Sequence, residues 1–219
     1  MGTRRMRIAV SVALAALGCG ALVAQPGIAK KNAKKSAKKV ITRTFTAGVG
    51  GDQGGFASRI PDGAGQQTQL VRSPIKVKKL NPRGNIKDVN VAVRVNHPRA
   101  RDVEIYLASP RGVINLTSDN GGNGANYGGG FASCEGTFTT FDQDAPSLIS
   151  TPGLAAPFAG SFKPEESLDQ LNKLGGKKAT NASWSLLVED DDATGPAGTL
   201  YCWQLKIKQT NPKKGRKKT

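Results

Sequence analysis

The chain has 219 residues and a formal net charge of +16, from 32 lysines and arginines against 16 acidic side chains. Three short stretches, residues 4–7, 30–43 and 213–218, hold 15 of the basic residues and no acid, so residues 44–212 carry 17 bases and 16 acids. A nearly neutral body excludes the usual nucleic-acid-binding domain, in which basic residues are concentrated on a folded face. We therefore expect no sequence-specific nucleic acid as a partner.

Residues 1–29 have the composition of a secretory signal. Three arginines precede an apolar run of small residues, IAVSVALAALGCGALVA, and this order of charge, apolar stretch and small residues is typical of export. The run is too short and too rich in alanine for a membrane span. We expect cleavage after Ala24 or Ala29, a secreted or envelope-associated protein, and no transmembrane span afterwards. The alternative is a lipoprotein signal at residues 16–19, which would leave Cys19 as a lipid-bearing N-terminus.

Two basic segments flank the predicted domain. Residues 30–43 contain copies of an Ala-Lys-Lys repeat, and residues 211–219 end in KKGRKKT. Like charges at helical spacing repel each other, which predicts a solvated, disordered linker at 30–43 and a similar tail at 211–219. Outside the cytoplasm such segments would bind polyanions, including envelope polymers, through counterion release. The alternative is that they only keep the protein soluble.

Residues 44–210 form one predicted domain with the pattern of short strands. Valines at 89, 91, 93 and 95 alternate with polar or small residues, a period of two. Similar segments recur along the chain, separated by Gly-rich and Pro-rich stretches: 75–77, 103–107, 113–116, 184–188 and 201–207. Only residues 168–174, LDQLNKL, have helical spacing. The pattern predicts an all-β fold, an antiparallel sandwich or barrel.

Two cysteines remain after the predicted signal, Cys134 and Cys202. Two cysteines in an exported chain predict one disulfide. Closing the loop between residues 134 and 202 would add about 4 kcal/mol to the free energy of unfolding in the chain-entropy model. Strand alternation places Cys202 on the same face as Gln204 and Lys206, opposite Trp203. The bridge would then hold the loop around Cys134 over the outer face of the last strand. The alternative is a pair of unpaired, buried thiols.

The segment VNVAVRVNHPRARDVEIYLASPRGVINLTS, residues 89–118, resembles the signature of the P domain. This domain, also called the Homo B domain, occurs in proprotein convertases of the kexin and furin type and in bacterial subtilisin-like serine proteases. The matching features are a strand ending in histidine, a turn to an aspartate, a Ser-Pro-x-Gly turn, and two later tryptophans, and the resemblance covers roughly residues 59–208. The residues that carry it are His97, Asp102, Ser109, Pro110, Gly112, Trp184 and Trp203.

The resemblance implies a jelly-roll β-barrel or sandwich of the galactose-binding-domain-like type, in agreement with the period of two. In the family, this domain follows a subtilisin-like catalytic domain and stabilises it. The sequence contains no counterpart of the family's catalytic motifs, and its only histidine is His97. Acyl transfer by serine needs a base and a group that orients that base, so we predict no catalytic residue and no enzymatic activity in this chain.

We expect structural roles for the matching residues instead. His97 should pack or form hydrogen bonds at a strand end, and the Asp102 carboxylate should accept backbone N–H bonds in the turn before the next strand. Ser109, Pro110 and Gly112 should form a tight turn, because proline fixes φ and glycine tolerates a positive φ.

Five aspartates are predicted calcium ligands. They lie beside or after Gly-rich loops and core strands, where backbone carbonyls are available, and calcium binds flexible arrays of carboxylate and carbonyl oxygens. The resemblance supports this prediction, because bacterial members of the family often hold calcium in their loops. The alternative is a set of solvated acidic turns. The predicted ligands are Asp119, Asp142, Asp144, Asp190 and Asp192.

The sequence therefore predicts an exported, non-catalytic accessory or binding module associated with proteolysis. Its expected partner is a separately encoded subtilisin-like protease or a cell-envelope polymer. The alternative function is that of an envelope-tethered structural or adhesion protein that uses its basic arms.

Overall fold

The computed structural model describes residues 39–63, 70–130, 133–180, 182–192 and 195–212. The predicted signal at 1–29 and most of the linker and tail lie outside these residues. The strands are β1 Val40–Gly48, β2 Ser58–Ile60, β3 Val71–Ile75, β4 Ile86–Asn96, β5 Val103–Ser109, β6 Gly112–Thr117, β7 Thr139–Phe141, β8 Gly160–Phe162, β9 Trp184–Asp190 and β10 Gly198–Thr210. Short 3₁₀ turns span Ala100–Asp102 and Leu168–Leu171, and helix α1 spans Gly176–Thr180. In the described part of the chain, every helix is too short or too polar to cross a membrane.

The strands form two sheets. The larger sheet has the order β1-β10-β4-β7-β8, and β2 pairs with the start of β10; the smaller sheet has the order β3-β9-β5-β6. Neighbouring strands are antiparallel except β7 and β8, which are parallel. The predicted all-β sandwich is therefore confirmed.

The alternating residues of the two sheets meet in one core. Valines 89, 91, 93 and 95 of β4 are at most 1% exposed, as are Leu205 and Ile207 of β10. Trp184 of the smaller sheet and Trp203 of the larger sheet are fully buried, and their indole N–H groups donate to Ala179 O at 2.8 Å and Ser73 Oγ at 3.0 Å. Large aromatic side chains with satisfied N–H groups stabilise such a core. The period of two in the sequence arises because alternate residues of a strand point to the same face.

The chain departs from the sequence prediction at its first strand. β1 begins at Val40, inside the predicted linker 30–43, and Arg43 lies opposite Ile207 of β10. The reason is that β-branched and aromatic residues alternate through VITRTFTA, and this alternation fits a strand despite the neighbouring lysines.

The helical prediction for residues 168–174 is only partly correct. These residues form the 3₁₀ turn Leu168–Leu171, with the Ser167 hydroxyl accepting from the Asp169 N–H at 3.2 Å. Helix α1 was not predicted, because its sequence, GKKAT, has no apolar repeat.

The strand directions define two ends of the sandwich. At the end that we call the arm end, β1 starts and β10 finishes, so that Val40 lies opposite Thr210. At the other end, which we call the locked end, β4 and β9 finish and β10 starts. The residues of interest for function fall into groups that belong to one end or to the outer face of the larger sheet.

Candidate functional site

His97 directly follows β4 at the locked end, and its side chain is fully buried. Its Nε2 atom lies 2.9 Å from Oδ2 of Asp190, the last residue of β9, and its Nδ1 atom lies 2.6 Å from the carbonyl oxygen of Arg99. A Cβ at Gly198 would lie only 2.5 Å from Cδ2 of the ring, so the ring fits because residue 198 is glycine. Both ring nitrogens thus face oxygens of the protein itself, which is the structural role expected from the sequence.

Ion pairs with Arg99 and Arg101 continue this network at the locked end. The Nε atom of Arg99 lies 2.6 Å from Oδ2 of Asp102, and its Nη2 atom lies 2.9 Å from Oδ2 of Asp192. Arg101 approaches the other oxygen of Asp102 at 3.4 Å. The Asp102 carboxylate was expected to accept backbone N–H bonds; the structure pairs it with these arginines, because they flank it in the 3₁₀ turn Ala100–Asp102.

The predicted disulfide is present between Cys134 and Cys202, with an S–S distance of 2.03 Å. Cys202 lies on the outer face of β10, and Trp203 points into the core, as the strand alternation predicts. The N–H of Cys134 also donates to the carbonyl oxygen of Val49 at 2.8 Å. The bridge therefore fastens the loop around Cys134 to β10 and to the turn that follows β1.

A buried arginine lies beneath the same loop. Arg94 is opposite Cys202 in the register of β4 and β10, and its guanidinium donates to the carbonyl oxygen of Ser133. Burial lowers the pKa of Arg94 from its ordinary value. A Cβ at Gly130 or Gly136 would lie 2.9 Å from its Nη2 atom, so these glycines allow the loop to cover the cation.

The Ser-Pro-x-Gly segment closes the hairpin between β5 and β6. The Ser109 hydroxyl accepts the N–H of Arg111 at 3.1 Å and donates to the carbonyl oxygen of Gly112 at 2.9 Å. Gly112 has a φ of 122°, a conformation that glycine adopts without strain. Pro110 directly follows Ser109. The segment thus has the tight-turn geometry expected from the sequence.

Three carboxylates come together on the outer face of the larger sheet, and we call Asp88, Asp142 and Asp144 the acidic triad. One oxygen from each lies within 4.8 Å of the others. Asp88 is on β4, and Asp142 directly follows β7, the neighbour of β4. Burial raises the pKa of Asp88, and the Asp142 carboxylate raises it further. Carboxylates this close repel one another unless a proton or a cation lies among them.

Asn90 adjoins the acidic triad and is only 7% exposed. Its amide nitrogen donates to Oδ2 of Asp142 at 2.7 Å, whereas its Oδ1 atom is buried without a hydrogen-bond partner among the described residues. Turning the Asn90 amide over would exchange its nitrogen and oxygen atoms. The oxygen would then face the acidic triad, where it would coordinate a cation. Three carboxylates and one amide oxygen are donors that calcium prefers, so these residues fit a calcium ion.

A second acidic group lies at the locked end. Glu104 of β5 is directly opposite Glu189 of β9, and the hydroxyl of Tyr106 donates to the Glu104 carboxylate. Burial raises the pKa of Glu104, as does Glu189, and burial also raises the pKa of Asp191, with smaller contributions from Glu104 and Asp119. Glu104 and Asp191 therefore hold protons more tightly than ordinary surface carboxylates do.

The structure sorts the predicted calcium ligands into separate places. Asp142 and Asp144 belong to the acidic triad, and Asp88 is a third member that the sequence analysis missed. Asp88 and Asn90 occupy alternate polar positions of β4, a signal for an outward-facing pair, but the sequence does not show which segment pairs beside them. The remaining three lie at the locked end, in the contacts described above: Asp119, Asp190 and Asp192.

Comparison with known proteins gives a distant likeness in structure. No family profile and no curated protein sequence matches the chain. Among solved structures, it is similar to the serine protease of Aeromonas sobria in complex with its chaperone ORF2, with 15% identity and a TM-score of 0.36 over 79% of this chain and 27% of that one. The same protease solved alone gives 16% identity and a TM-score of 0.34 over 78% and 27%. The chain thus spans about a quarter of the length of these proteins.

Proposed function

We propose that this chain is an exported, disulfide-bonded binding module without hydrolytic activity, and that it acts as an accessory domain for a subtilisin-like serine protease on another polypeptide. The observation that carries the proposal is the position of its only histidine. His97 is fully buried, with both ring nitrogens in contact with oxygens of the protein. A serine protease needs a histidine that can exchange a proton with substrate, and this one holds two strands together instead.

The residues of the P-domain signature support the proposal as a group. His97 contacts Asp190 of β9, and Asp102 pairs with arginines of its own turn. Trp184 and Trp203 lie in the core, and residues 109–112 close a hairpin. They are therefore used to build the sandwich, as the resemblance implies for an accessory domain. The disulfide suits an exported protein, because such bonds persist in oxidising compartments.

An assay for proteolysis tests the absence of activity. We expect the purified full chain to leave casein and a fluorogenic peptide intact over several hours, with and without a serine-protease inhibitor. The control is the same preparation with a trace of subtilisin, which must give inhibitor-sensitive cleavage. Cleavage by the chain alone that tracks with the pure protein and is lost on adding the inhibitor would contradict the proposal.

A second experiment tests the accessory role. The chain is mixed at equal molarity with a purified subtilisin-like protease from the same secreted proteome, and the thermal midpoint and autolysis rate of the protease are measured. We expect a 1:1 complex on gel filtration and a higher midpoint, because binding at about 100 times the Kd contributes about 2.7 kcal/mol. The control is the chain with its disulfide reduced and its fold lost. Unchanged midpoints and separate elution would reject the accessory role.

We further propose that calcium binds the acidic triad with Asn90. A bound ion would supply positive charge that ties β4 to the segment after β7, while Asp88 and Asp142 provide the oxygens from the two sides. Extracellular calcium sites often have Kd values of about 10⁻⁴ to 10⁻³ M, so about 2 mM calcium should stabilise the fold by about 1 kcal/mol.

Thermal unfolding in calcium and in a chelator tests this site. Wild type and Asp169→Asn, which alters an exposed aspartate elsewhere, should both gain stability from calcium, and Asp142→Asn should not. If calcium stabilises Asp142→Asn as much as wild type, the ion binds elsewhere; if calcium stabilises neither protein, the proposed site is wrong.

A further inference from the structure

Strand β1 forms one edge of the larger sheet, and β10 is its partner among the described strands. The register of the two strands is unbroken from Val40 to Gly48. In an antiparallel strand, the backbone N–H and C=O groups of alternate residues face the same neighbour. The carbonyl oxygen of Lys39 accepts the N–H of Asn211, which follows β10, so the odd-numbered residues of β1 face β10. The even-numbered residues therefore direct their backbone groups away from the sheet.

The loop after β1 covers one part of this free edge. The N–H of Thr46 donates to Oδ1 of Asp52, and its carbonyl oxygen accepts the N–H of Gln53 at 2.9 Å. At Thr42 and Thr44, by contrast, the edge-facing backbone groups have no hydrogen bond within the part of the chain that the structure describes. Both residues are exposed. This part of β1 therefore offers free donors and acceptors to an added strand.

The other sheet edges of the described structure are protected. In the smaller sheet, the edge strand β3 contains Pro74, which has no N–H to donate. The opposite edge strand, β6, is covered because the N–H groups of Glu165 and Glu166 donate to the carbonyl oxygens of Leu116 and Asn115. Strands β2 and β8 have three residues each. Short strands, proline and covering segments prevent unwanted pairing, so the open part of β1 differs from the edges that this fold protects.

A basic groove of about 570 Å³ lies on the inner face of the open edge. Ile41 and Arg43 line it from β1, on the same face as the buried Phe45, and the turn between β3 and β4 contributes Lys79 and Arg83. The three bases are exposed and form no ion pair with any described residue. The described lining residues include no acid. A strand added to β1 would therefore place alternate side chains beside unpaired positive charge.

Hydrogen bonds to Asn81 hold this groove in shape. Its backbone N–H donates to Oε1 of Gln209 at 2.5 Å, and its side-chain amide donates to Oδ1 of Asn211 at 2.5 Å. Its Oδ1 atom accepts the N–H of Arg83 at 2.9 Å. The turn that carries Lys79 and Arg83 is thus fixed to the end of β10 before any partner binds, and such preorganisation lowers the entropic cost of binding.

We propose that residues 40–44 of β1 bind an extended acidic segment of another protein, which joins the larger sheet as a further strand. Its backbone forms hydrogen bonds with the free groups of Thr42 and Thr44, as in other cases of strand addition. Side chains opposite Ile41 and Arg43 lie on the inner face, where an apolar residue packs on Ile41 and a carboxylate meets the bases. The surface is independent of the protease proposed above, because it recognises alternate apolar and acidic residues in any extended segment.

Charge complementarity favours this occupant over a second copy of β1. Two β1 strands paired antiparallel through residues 40–44 would place their Arg43 side chains about 7 to 8 Å apart on one face. Lys79 and Arg83 of both copies would add their charge on that face. Like charges destabilise a strand pair, whereas a carboxylate and an arginine form strong, paired hydrogen bonds.

Fluorescence anisotropy with a labelled peptide tests the surface on the full-length protein. The probe has about seven residues, with valine and glutamate alternating on one face and threonine on the other, and a second peptide has lysine in place of glutamate. The lysine peptide should bind at least about tenfold more weakly. Arg43→Gln with Arg83→Gln should weaken binding of the glutamate peptide about tenfold, since two exposed ion pairs are lost.

The matched control for this variant removes two exposed arginines elsewhere. Arg59→Gln with Arg72→Gln alters β2 and β3 and should bind the glutamate peptide as wild type does. Equal losses in the two arginine pairs, or equal binding of the glutamate and lysine peptides, would overturn the proposal.

Substitutions of backbone donors test the added strand itself. Thr44→Pro removes an edge-facing N–H and leaves the hydrogen bonds to β10 in place, whereas Thr44→Ala keeps that N–H. Binding should fall about tenfold in Thr44→Pro and stay near wild type in Thr44→Ala. The peptide supplies the same test on the unaltered protein: N-methyl groups on its threonine amides, which face β1, should abolish binding, and N-methyl groups on its valine amides should not.

Hydrogen exchange locates the peptide on the chain. At saturating glutamate peptide, exchange of the Thr42 and Thr44 amides should slow by about tenfold or more, while the Thr46 amide, which is already bonded, should not change. Binding that leaves Thr42 and Thr44 unprotected would overturn strand addition. A dimer that forms with rising protein concentration and is lost in Thr44→Pro would show that the occupant is a second copy, and the proposed acidic segment would be wrong.

Discussion

The two ends of the sandwich differ in whether their basic side chains have acidic partners. At the locked end, His97 and Arg99 are paired with aspartates, and Cys202 beside it is bridged to the covering loop. At the arm end, the exposed side chains of Arg43, Lys79 and Arg83 form no ion pair within the described residues. Side chains at one end are thus held in pairs that contribute to stability, whereas the three bases at the other end are exposed to solvent. Substitutions at the two ends should therefore change different measurements.

The largest effect on stability is expected from the disulfide. Replacing both cysteines, Cys134→Ser with Cys202→Ser, should lower the free energy of unfolding by about 4 kcal/mol, because the loop is no longer closed in the unfolded chain. Urea unfolding of the double variant against wild type measures this loss. A loss below about 1 kcal/mol would show that the bridge does not hold the fold together.

Breaking the buried pair at the locked end should have the next largest effect. Asp190→Ala leaves the Nε2 atom of His97 buried without its partner, and a buried polar group that loses its hydrogen-bond partner costs about 1 to 3 kcal/mol. Asp192→Ala is the matched control, since its ion pair with Arg99 is partly exposed and exposed pairs contribute about 1 kcal/mol or less. Similar losses for the two variants in urea unfolding would contradict the distinction between buried and surface contacts.

The acidic triad should show a smaller effect that depends on pH and calcium. Since the pKa of Asp88 is raised in the folded protein from 3.8, its contribution to stability is complete below that ordinary value and is lost as the pH rises through the raised one. In a chelator at pH 7, Asp88→Asn should therefore be more stable than wild type, by less than about 1 kcal/mol because the group is partly exposed.

Changes of pH and of calcium supply the control for the effect of Asp88→Asn on stability. The advantage of Asp88→Asn should disappear near pH 3, where wild-type Asp88 is protonated, and calcium at pH 7 should reverse the order. Thermal midpoints across this pH range measure both changes. A variant that is less stable than wild type at pH 7 in the chelator would show that repulsion within the triad is not relieved by the substitution.

The smallest effect on stability is expected at the arm end. Arg43→Gln with Arg83→Gln removes exposed side chains that have no ion pair within the described residues, so the free energy of unfolding should change by less than about 0.5 kcal/mol. A loss of stability comparable to that of Asp190→Ala would remove the contrast between the two ends.

Much of the fold could be predicted from the sequence because apolar residues recur at every second position. The valines of β4 and the apolar residues of β10 alternate with polar or small residues, and the same alternation placed Cys202 on the outer face. Strands β7 and β8 have three residues each, too few for a period to be recognised. β1 was not predicted, because residues 30–43 were interpreted as a charged linker and the alternation that starts at Val40 was not recognised.

The sites were harder to predict because their members are distant in the sequence. His97 and Asp190 are 93 residues apart, and a run of acidic residues at 189–192 does not reveal that a histidine and an arginine will contact two of them. Asp88 became a neighbour of Asp142 only when β4 paired with β7. The contact between Lys39 and Asn211 likewise depends on the pairing of β1 with β10, which composition cannot show.

The position of β10 has a consequence for the order of folding. It is the last strand in the chain, yet it pairs with β1, β2 and β4 in the larger sheet. That sheet cannot assemble until residues 198–210 have been synthesised, so a chain that begins translocation across a membrane before then is still unfolded. Pairings between distant segments also fold slowly. A chain ending at residue 197 should therefore stay unstructured by circular dichroism, and adding the missing strand as a peptide should restore the sheet signal.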